Sequence, residues 1–233
     1  MNPQTQDNYF KFTIVFLLFL LLAFDKDLAM IYLLMMFGDY VWTRSDNYIS
    51  FPFRRKTSNT TQVYIEATAA LGIFLVVSTF LVSTFSPQSI ASGNILVQSQ
   101  SIFHLLASSV PILKGSKILT FIGWAIIIPI IETSFFNGRL LEGFATYSEK
   151  ITGKRISLQR YTLTLMMVIL LVASLFTLFH ITAKGLDTIP LLITFIFSVI
   201  SSMLVIRHQE LRGAIFIHIL TNSAAVLSSL GVM

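Results

Sequence analysis

Long apolar runs recur along this chain, and their length limits the folds that are open to it. A transmembrane helix needs about 20 mostly apolar residues, and runs near that length occupy residues 63–85, 118–138, 161–183, 189–206 and 213–232. Of the 233 residues, 55% are hydrophobic and 12% are charged, whereas proteins average roughly 45–50% apolar and 25% charged residues. The sequence therefore predicts an all-α membrane protein, a polytopic bundle of transmembrane helices.

Two shorter apolar runs, 12–24 and 28–42, come first and are separated by the cluster Asp25-Lys26-Asp27. Neither reaches the length that crosses a bilayer comfortably, and together they predict a tight helical hairpin. With this hairpin the predicted count is seven spans. The segment 86–117 is rich in Ser, Gln, Asn and Pro, and we expect it to be interfacial or re-entrant.

The basic residues predict how the helices are oriented. The net charge is +5, and Lys and Arg concentrate in the loops 139–160 and 207–212. By the positive-inside rule these loops are cytoplasmic. With seven spans the amino terminus is then also cytoplasmic. We expect the protein to lie in the cell membrane. The basic residues do not form a patch with interleaved aromatics, so we expect the lipid bilayer as partner and no nucleic acid. The chain has no cysteine, which excludes disulfides and thiolate chemistry.

One carboxylate lies deep in an apolar run. Glu132 belongs to the stretch LTFIGWAIIIPIIETSFFNGR, residues 119–139, and a charged side chain at the bilayer centre costs roughly 2.5–3.5 kcal/mol on insertion scales. In an α-helix Glu132, Phe136 and Arg139 would share one face. A structural pair between Glu132 and Arg139 is one interpretation, and a functional carboxylate is the other.

Imidazoles and an amide occupy the later runs. His180 lies in the run 161–183, and His218 and Asn222 are four residues apart, so both project from one face of the last predicted helix. Each histidine alone is most simply a packing residue. Because intramembrane ionisable residues normally face a bundle interior or a water-filled cavity, we expect both histidines and Asn222 to converge with Glu132.

Such a cluster has the groups that hydrolysis requires. The carboxylate of Glu132 can take a proton from water, the imidazoles can hold a water, a metal or an oxyanion, and the amide can donate to a developing negative charge. Two histidines and one carboxylate also match a catalytic zinc site, in which Glu132, His180 and His218 would be the ligands. The sequence leaves zinc open.

The order of these residues resembles one known family. A helix that ends in Glu-x-x-x-Phe-x-Gly precedes a helix that ends in Ser-Leu-Phe-x-x-x-His, and His-x-x-x-Asn follows in the last run. This arrangement is similar to the CPBP family, the CAAX proteases and bacteriocin-processing enzymes that are also called the Abi family. The matching residues are Glu132, Phe136, Gly138, Ser174, Leu175, Phe176, His180, His218 and Asn222.

The resemblance implies an intramembrane endopeptidase. A glutamate at the position of Glu132 would activate a water for peptide hydrolysis, and His180, His218 and Asn222 would complete the site. The implied partner is a peptide or protein substrate, with its prenylation left open, as is the choice between a metal and a glutamate-protease mechanism. The resemblance covers residues 118–233, the predicted core that carries the site, and residues 1–117 form an amino-terminal transmembrane region.

The first motif departs from the family pattern. The family has two adjacent glutamates and an arginine four residues after the second, whereas this chain has Thr133 and Asn137 at those two positions. The acid that would activate water is kept and its usual neighbours are not, so the alternative is a non-catalytic member that binds prenyl chains, pigments or peptides. A transporter that uses Glu132 and the histidines as a proton relay is a third class, although the chain shows no internal symmetry of the kind that transporters have.

A common site sets a condition on the helix that carries Glu132. If this helix ended at Gly138, Glu132 would lie about 9 Å from that end, whereas His180 lies about 28 Å from Tyr161 at the same membrane side. The two would then not meet. The apolar residues after Arg139 predict that the helix continues toward Tyr147.

Two further polar residues are expected to be unrelated to this site. Glu66 lies near the start of its predicted span, where its carboxylate can reach the interface. His208 lies in a short basic turn and is expected to be an ordinary surface or interfacial histidine.

Overall fold

The computed structural model describes residues 59–85, 117–141, 143–145, 163–184 and 187–229. These residues form five helices and contain no strand, which confirms the prediction of an all-α protein. The helices are α1 (Thr60–Phe85), α2 (described at 117–141 and 143–145), α3 (Leu163–Lys184), α4 (Thr188–His208) and α5 (Arg212–Ser229).

Four stretches of these helices are long and apolar enough to cross a membrane. They are Thr60–Phe85, Ile122–Ala145, Leu163–Ile181 and Thr188–His208, and a shorter apolar stretch, Arg212–Leu227, follows in α5. The chain is an integral membrane protein. The predicted hairpin at 12–42 and nearly all of the segment 86–117 lie outside the described residues, so the count of seven spans stays a prediction.

Helix α2 is the central helix among those described. In its apolar 18-residue stretch 71% of the residues are buried, compared with 17% in α1 and 44% in each of α3 and α4. It packs against α3, α4 and α5, and α1 packs on the outer side against α4 and α5. The helix with the membrane-embedded carboxylate is therefore also the one most enclosed by protein.

Helix α2 continues past Gly138, as a common site requires. Its described residues extend to Ala145, and Glu132 lies near the middle of the helix. The helix is not α-helical throughout, which differs from the simple periodicity assumed above. It contains two π-helical segments, Ile122–Ile127 and Ser134–Leu140, on either side of the α-helical turn Ile128–Thr133.

Pro129 lies two residues after the first π-helical segment, where it leaves a carbonyl without a backbone donor. The N–H of Ile128 bonds to the carbonyl of Gly123, five residues back. In that register the next donor is Pro129, which has no N–H to give to the carbonyl of Trp124. Such single-turn π segments inside α-helices are frequent at functional sites.

Polar caps and small residues fix the neighbouring helices. The side chain of Asn59 accepts from the N–H of Thr61 at the start of α1, and Asp187 accepts from Ile189 at the start of α4. Helix α4 ends at His208, and the next residue, Gln209, has a φ of 54° that places it in the left-handed region. Gly213 then allows α5 to approach α1 closely, because a Cβ there would lie 3.2 Å from a methyl of Val63.

Candidate functional site

Glu132 and His218 meet in the centre of the bundle. The Oε2 atom of Glu132 lies 3.5 Å from Nε2 of His218, and both side chains are 6% exposed. The pair joins α2 to α5. A carboxylate beside an imidazole, shielded from water by apolar helices, is an arrangement that holds and transfers protons.

The next residue of α2 contacts the other nitrogen of the same imidazole. The hydroxyl of Thr133 lies 2.9 Å from Nδ1 of His218, and Thr133 is itself buried. Both ring nitrogens of His218 therefore face α2. Thr133 stands where the resemblance expects a second glutamate, and its hydroxyl keeps a polar contact to the histidine at that position.

Asn137 also makes a buried contact between helices. Its Nδ2 donates to the hydroxyl of Ser202 at 2.9 Å, which joins α2 to α4. One residue later, Gly138 packs against Leu211, and a Cβ at Gly138 would lie 3.4 Å from the leucine side chain. The position at which the resemblance expects an arginine thus holds an amide that bonds inside the bundle.

A group of aromatic rings surrounds His218. The ring centroid of Phe197 lies 4.9 Å from that of the imidazole, and the centroid of Phe176 lies 6.1 Å from it. Phe136 of α2 packs edge-to-face on Phe176 at 5.0 Å. This aromatic cluster, Phe136, Phe176 and Phe197, brings α2, α3 and α4 together around the histidine.

His180 lies at the edge of the same aromatic cluster. Its ring centroid is 4.3 Å from that of Phe176, and its Nδ1 is 2.7 Å from the backbone carbonyl of Phe176. A contact between Nδ1 and a carbonyl oxygen requires the proton on Nδ1, which leaves Nε2 as the acceptor in the neutral ring. Phe176 thus contacts both imidazoles, one on α3 and one on α5.

Asn222 contacts α2 at Trp124, nearer to the start of that helix than Glu132. Its Nδ2 donates to the carbonyl of Trp124 at 3.3 Å, the carbonyl that Pro129 cannot reach with an N–H. The bond joins α5 to the first π-helical segment of α2. An amide nitrogen carries two hydrogens, so this contact uses one of the two.

The structure thus brings Glu132 and His218 into direct contact and places His180 in the aromatic cluster beside them. Asn222 is one helical turn beyond His218 and is turned toward Trp124. The catalytic roles assigned to these four residues stay predictions. The side chain of Arg139 lies outside the described side chains, so its predicted pairing with Glu132 also stays a prediction.

The zinc ligand set can be tested for fit among the described side chains. Within residues 59–85, 117–141, 143–145, 163–184 and 187–229, no group of three or more His, Asp or Glu residues lies close enough to hold a metal ion. Glu132, His180 and His218 do not form such a group in this arrangement, and zinc stays an open prediction.

A second carboxylate–histidine pair lies where α4 turns into α5. The Nε2 atom of His208 is 3.1 Å from Oε2 of Glu66 on α1. Arg207 also binds Glu66 through Nε and through Nη2, the latter at 3.0 Å. His208 is only 2% exposed, so the expectation of an ordinary surface histidine is wrong. It is buried because α1 covers the turn and supplies its carboxylate.

Comparison with known proteins identifies the half of the chain that holds the first pair. Residues 114–224 match the family model for Rce1-like proteins, described as type II CAAX prenyl endopeptidase. This match supports the resemblance of these residues to the CAAX proteases of the CPBP family. No curated protein and no solved structure matches the chain.

The CAAX protease match contains all four residues proposed for the site, whereas α1 with Glu66 precedes it. Within the match, sequence reasoning missed Thr133 and Asn137, which it treated only as departures from the motif. A signal was present, because both are polar residues in an apolar run and are four residues apart, the same spacing that singled out His218 and Asn222. Nothing in the sequence indicated that Phe197 lies against His218.

Proposed function

We propose that this chain is an intramembrane endopeptidase of the CAAX protease type that hydrolyses a peptide bond with a water activated by Glu132. The observation that carries the proposal is the buried contact between Glu132 and His218 at the centre of the bundle. The family match supports the reaction class. A charged carboxylate is costly in a membrane and usually has a partner or a function. The partner of Glu132 is His218, and its proposed function is to activate water.

The proposed reaction begins with proton transfer. Glu132 takes a proton from a bound water as the water oxygen forms a bond to the carbonyl carbon of the substrate, and the carbonyl oxygen becomes an oxyanion. Glu132 then gives that proton to the amide nitrogen as the carbon–nitrogen bond breaks. A positioned general base of this kind contributes typically about 10²–10⁴-fold to the rate.

The other residues stabilise the charge that develops. His218 contacts Glu132 through Nε2 and orients the carboxylate, and His180 lies across Phe176 from it. The second N–H of Asn222, the one that does not bond to Trp124, is the proposed donor to the oxyanion. In an apolar, water-poor bundle such donors act much more strongly than in water.

The substrate class follows from the family and the location. We infer a peptide or protein at the membrane, and the family description, prenyl endopeptidase, makes a prenylated carboxyl-terminal peptide the first substrate to test. The basic loops 139–160 and 207–212 favour a cytoplasmic position for the end of the bundle near the turn from α4 to α5. We also propose that the amino terminus is cytoplasmic and that the protein lies in the cell membrane.

The experiment uses purified full-length protein in lipid nanodiscs and an internally quenched prenylated CAAX peptide. We expect the wild type to cleave the peptide and Glu132→Gln to lower kcat by about 10²–10⁴-fold, because the amide cannot take the proton from water. Glu66→Gln is the matched control, since it changes the other carboxylate that contacts a histidine, and it should keep kcat within a few-fold. Equal cleavage by the wild type and Glu132→Gln would reject the assignment.

A non-catalytic binding protein is the second candidate, and one observation favours it. Thr133 and Asn137 replace the glutamate and arginine of the family motif, and both bond inside the bundle. Under this alternative the bundle would retain prenylated peptides without hydrolysis. Peptide that binds to the nanodiscs and is recovered intact after long incubation, with no difference between the wild type and Glu132→Gln, would favour this candidate.

A further inference from the structure

His218 is held at both ring nitrogens by two consecutive residues of α2. Its Nδ1 lies 2.9 Å from the hydroxyl of Thr133, and its Nε2 lies 3.5 Å from the carboxylate of Glu132. Consecutive residues of a helix project about 100° apart. One imidazole can reach both side chains only when its edge faces the helix, so the two contacts together define the orientation of the ring.

The two contacts also define where the ring proton lies. A neutral imidazole has one N–H and one acceptor nitrogen, and the hydrogen bond at one nitrogen decides the state of the other. A carboxylate accepts hydrogen bonds, so the N–H belongs at Nε2, facing Glu132. A hydroxyl can donate as well as accept, so with the N–H at Nε2 it would donate to Nδ1.

We propose that Thr133 is a positioning residue for the hydrolysis: its hydroxyl donates to Nδ1 of His218, keeps the ring proton on Nε2 and holds that N–H toward the carboxylate of Glu132. This inference rests on the proposed function and adds a residue to it. The chain thereby keeps a polar partner for the histidine at the position where the resemblance expects a second glutamate.

The surroundings of the ring show why the hydroxyl is needed. Thr133 is 1% exposed and His218 is 5% exposed, and the rings of Phe197 and Phe176 lie on the histidine. An apolar side chain at position 133 would remove the hydrogen bond to Nδ1 in apolar surroundings, which disfavours the present tautomer and orientation. Both neutral tautomers of the ring would then be populated, and its orientation toward Glu132 would no longer be fixed.

Three variants of the full-length protein in nanodiscs separate the hydroxyl from the shape of the side chain. Thr133→Val keeps the shape and removes the hydroxyl, Thr133→Ser keeps the hydroxyl, and Thr177→Val is the matched control because the Thr177 hydroxyl bonds to its own helix at Ala173. With the prenylated CAAX peptide we expect Thr133→Val to lower kcat by about 10–100-fold, by analogy with the loss seen when the partner that orients a metal-ligating histidine is removed.

KM should change by no more than about twofold, because the contact orients a catalytic group and does not bind the peptide. Thr133→Ser should restore kcat to within about threefold of the wild type, and Thr177→Val should not change it. Unchanged kcat in Thr133→Val, or equal loss in the Val and Ser variants, would overturn the proposal.

A second measurement does not depend on cleavage. Nitrogen-15 NMR of histidine-labelled protein reports which imidazole nitrogen carries the proton, and the signals of His218 are those that vanish in His218→Gln. We expect Nε2–H in the wild type and in Thr133→Ser, and a mixture of tautomers in Thr133→Val. Identical His218 signals in the wild type and Thr133→Val would overturn the positioning role. Tautomers that differ as expected in a protein that never cleaves the peptide would support the orienting hydrogen bond from Thr133 and reject the endopeptidase.

Discussion

Two carboxylate–histidine pairs occur in the described part of this molecule, and their surroundings differ. Glu132 and His218 lie inside the bundle, where both side chains are 6% exposed. Glu66 and His208 lie at the turn from α4 to α5, where Glu66 is 25% exposed and Arg207 also binds its carboxylate. The same two residue types thus occur once in apolar surroundings and once beside a guanidinium at the edge of the bundle.

The comparison shows that chemistry depends on what surrounds a pair. At the turn, the guanidinium of Arg207 neutralises the carboxylate, and the cluster ties α1 to the end of α4. An exposed ion pair such as that of Arg207, whose side chain is 56% exposed, contributes little to stability. Inside the bundle, a carboxylate and an imidazole face each other among aromatic rings, where the low local dielectric strengthens the interaction between polar groups. We therefore assign the proposed hydrolysis to the inner pair.

The largest expected contrast comes from changing the histidine of each pair. His218→Gln should lower kcat for the prenylated CAAX peptide by about 10²–10⁴-fold, because the glutamine lacks the imidazole that orients Glu132. His208→Gln should keep kcat within a few-fold and should lower the unfolding free energy by about 1–3 kcal/mol, because it removes a buried imidazole that lies 3.1 Å from the carboxylate of Glu66. Initial cleavage rates and thermal unfolding in nanodiscs measure both. Comparable kcat losses in the two variants would remove the functional distinction between the pairs.

A smaller difference in kcat is expected between two variants that each lose a hydrogen bond between helices, one for each pair. Asn222→Ala should lower kcat by about 10²–10³-fold if its free N–H donates to the oxyanion. The matched change at the turn is Thr60→Val, which removes the acceptor for Nη1 of Arg212 at 3.1 Å and should not change kcat. If Asn222→Ala lowers only the melting temperature, Asn222 joins α5 to α2 and has no part in the reaction.

The smallest effect is expected at the turn itself. Arg207→Met removes the guanidinium from Glu66, and because the Arg207 side chain is 56% exposed, the loss of unfolding free energy should be about 0.2–1 kcal/mol. The loss should shrink as salt is raised, since salt screens exposed charges. Chemical unfolding at low and high salt measures it. A loss that is larger and independent of salt would mean that the turn is as enclosed as the inner pair.

Much of the inner site could be predicted from local spacing. Glu132 stands out because an acid in an apolar run is rare, and His218 with Asn222 stands out because residues four apart share a helical face. The condition that α2 continue past Gly138 followed from helix rise alone and is confirmed. The π-helical segments of α2 were not predicted, because apolar periodicity over a few turns does not distinguish π from α geometry, although Pro129 marked a place where a backbone bond would be missing.

His208 shows where local spacing fails. Its neighbours Arg207, Gln209 and Glu210 are polar, so the sequence around it indicates a surface turn. It is buried because Glu66, more than a hundred residues earlier, approaches it from α1. The contact of Thr133 was missed for the same reason, since its partner His218 is 85 positions away.

Composition and run length alone determined that this chain is a helical membrane protein, because apolar segments of that length are stable only when the bilayer or other helices cover them. The spacing of polar residues determined which side chains share a helical face, since that depends on the geometry of one helix. Only the tertiary structure decided that Thr133 and Glu132 hold opposite nitrogens of one imidazole, and that Arg207 binds Glu66. Contacts between helices depend on how far each helix is rotated and shifted against its neighbours, which is set by the packing of the whole bundle.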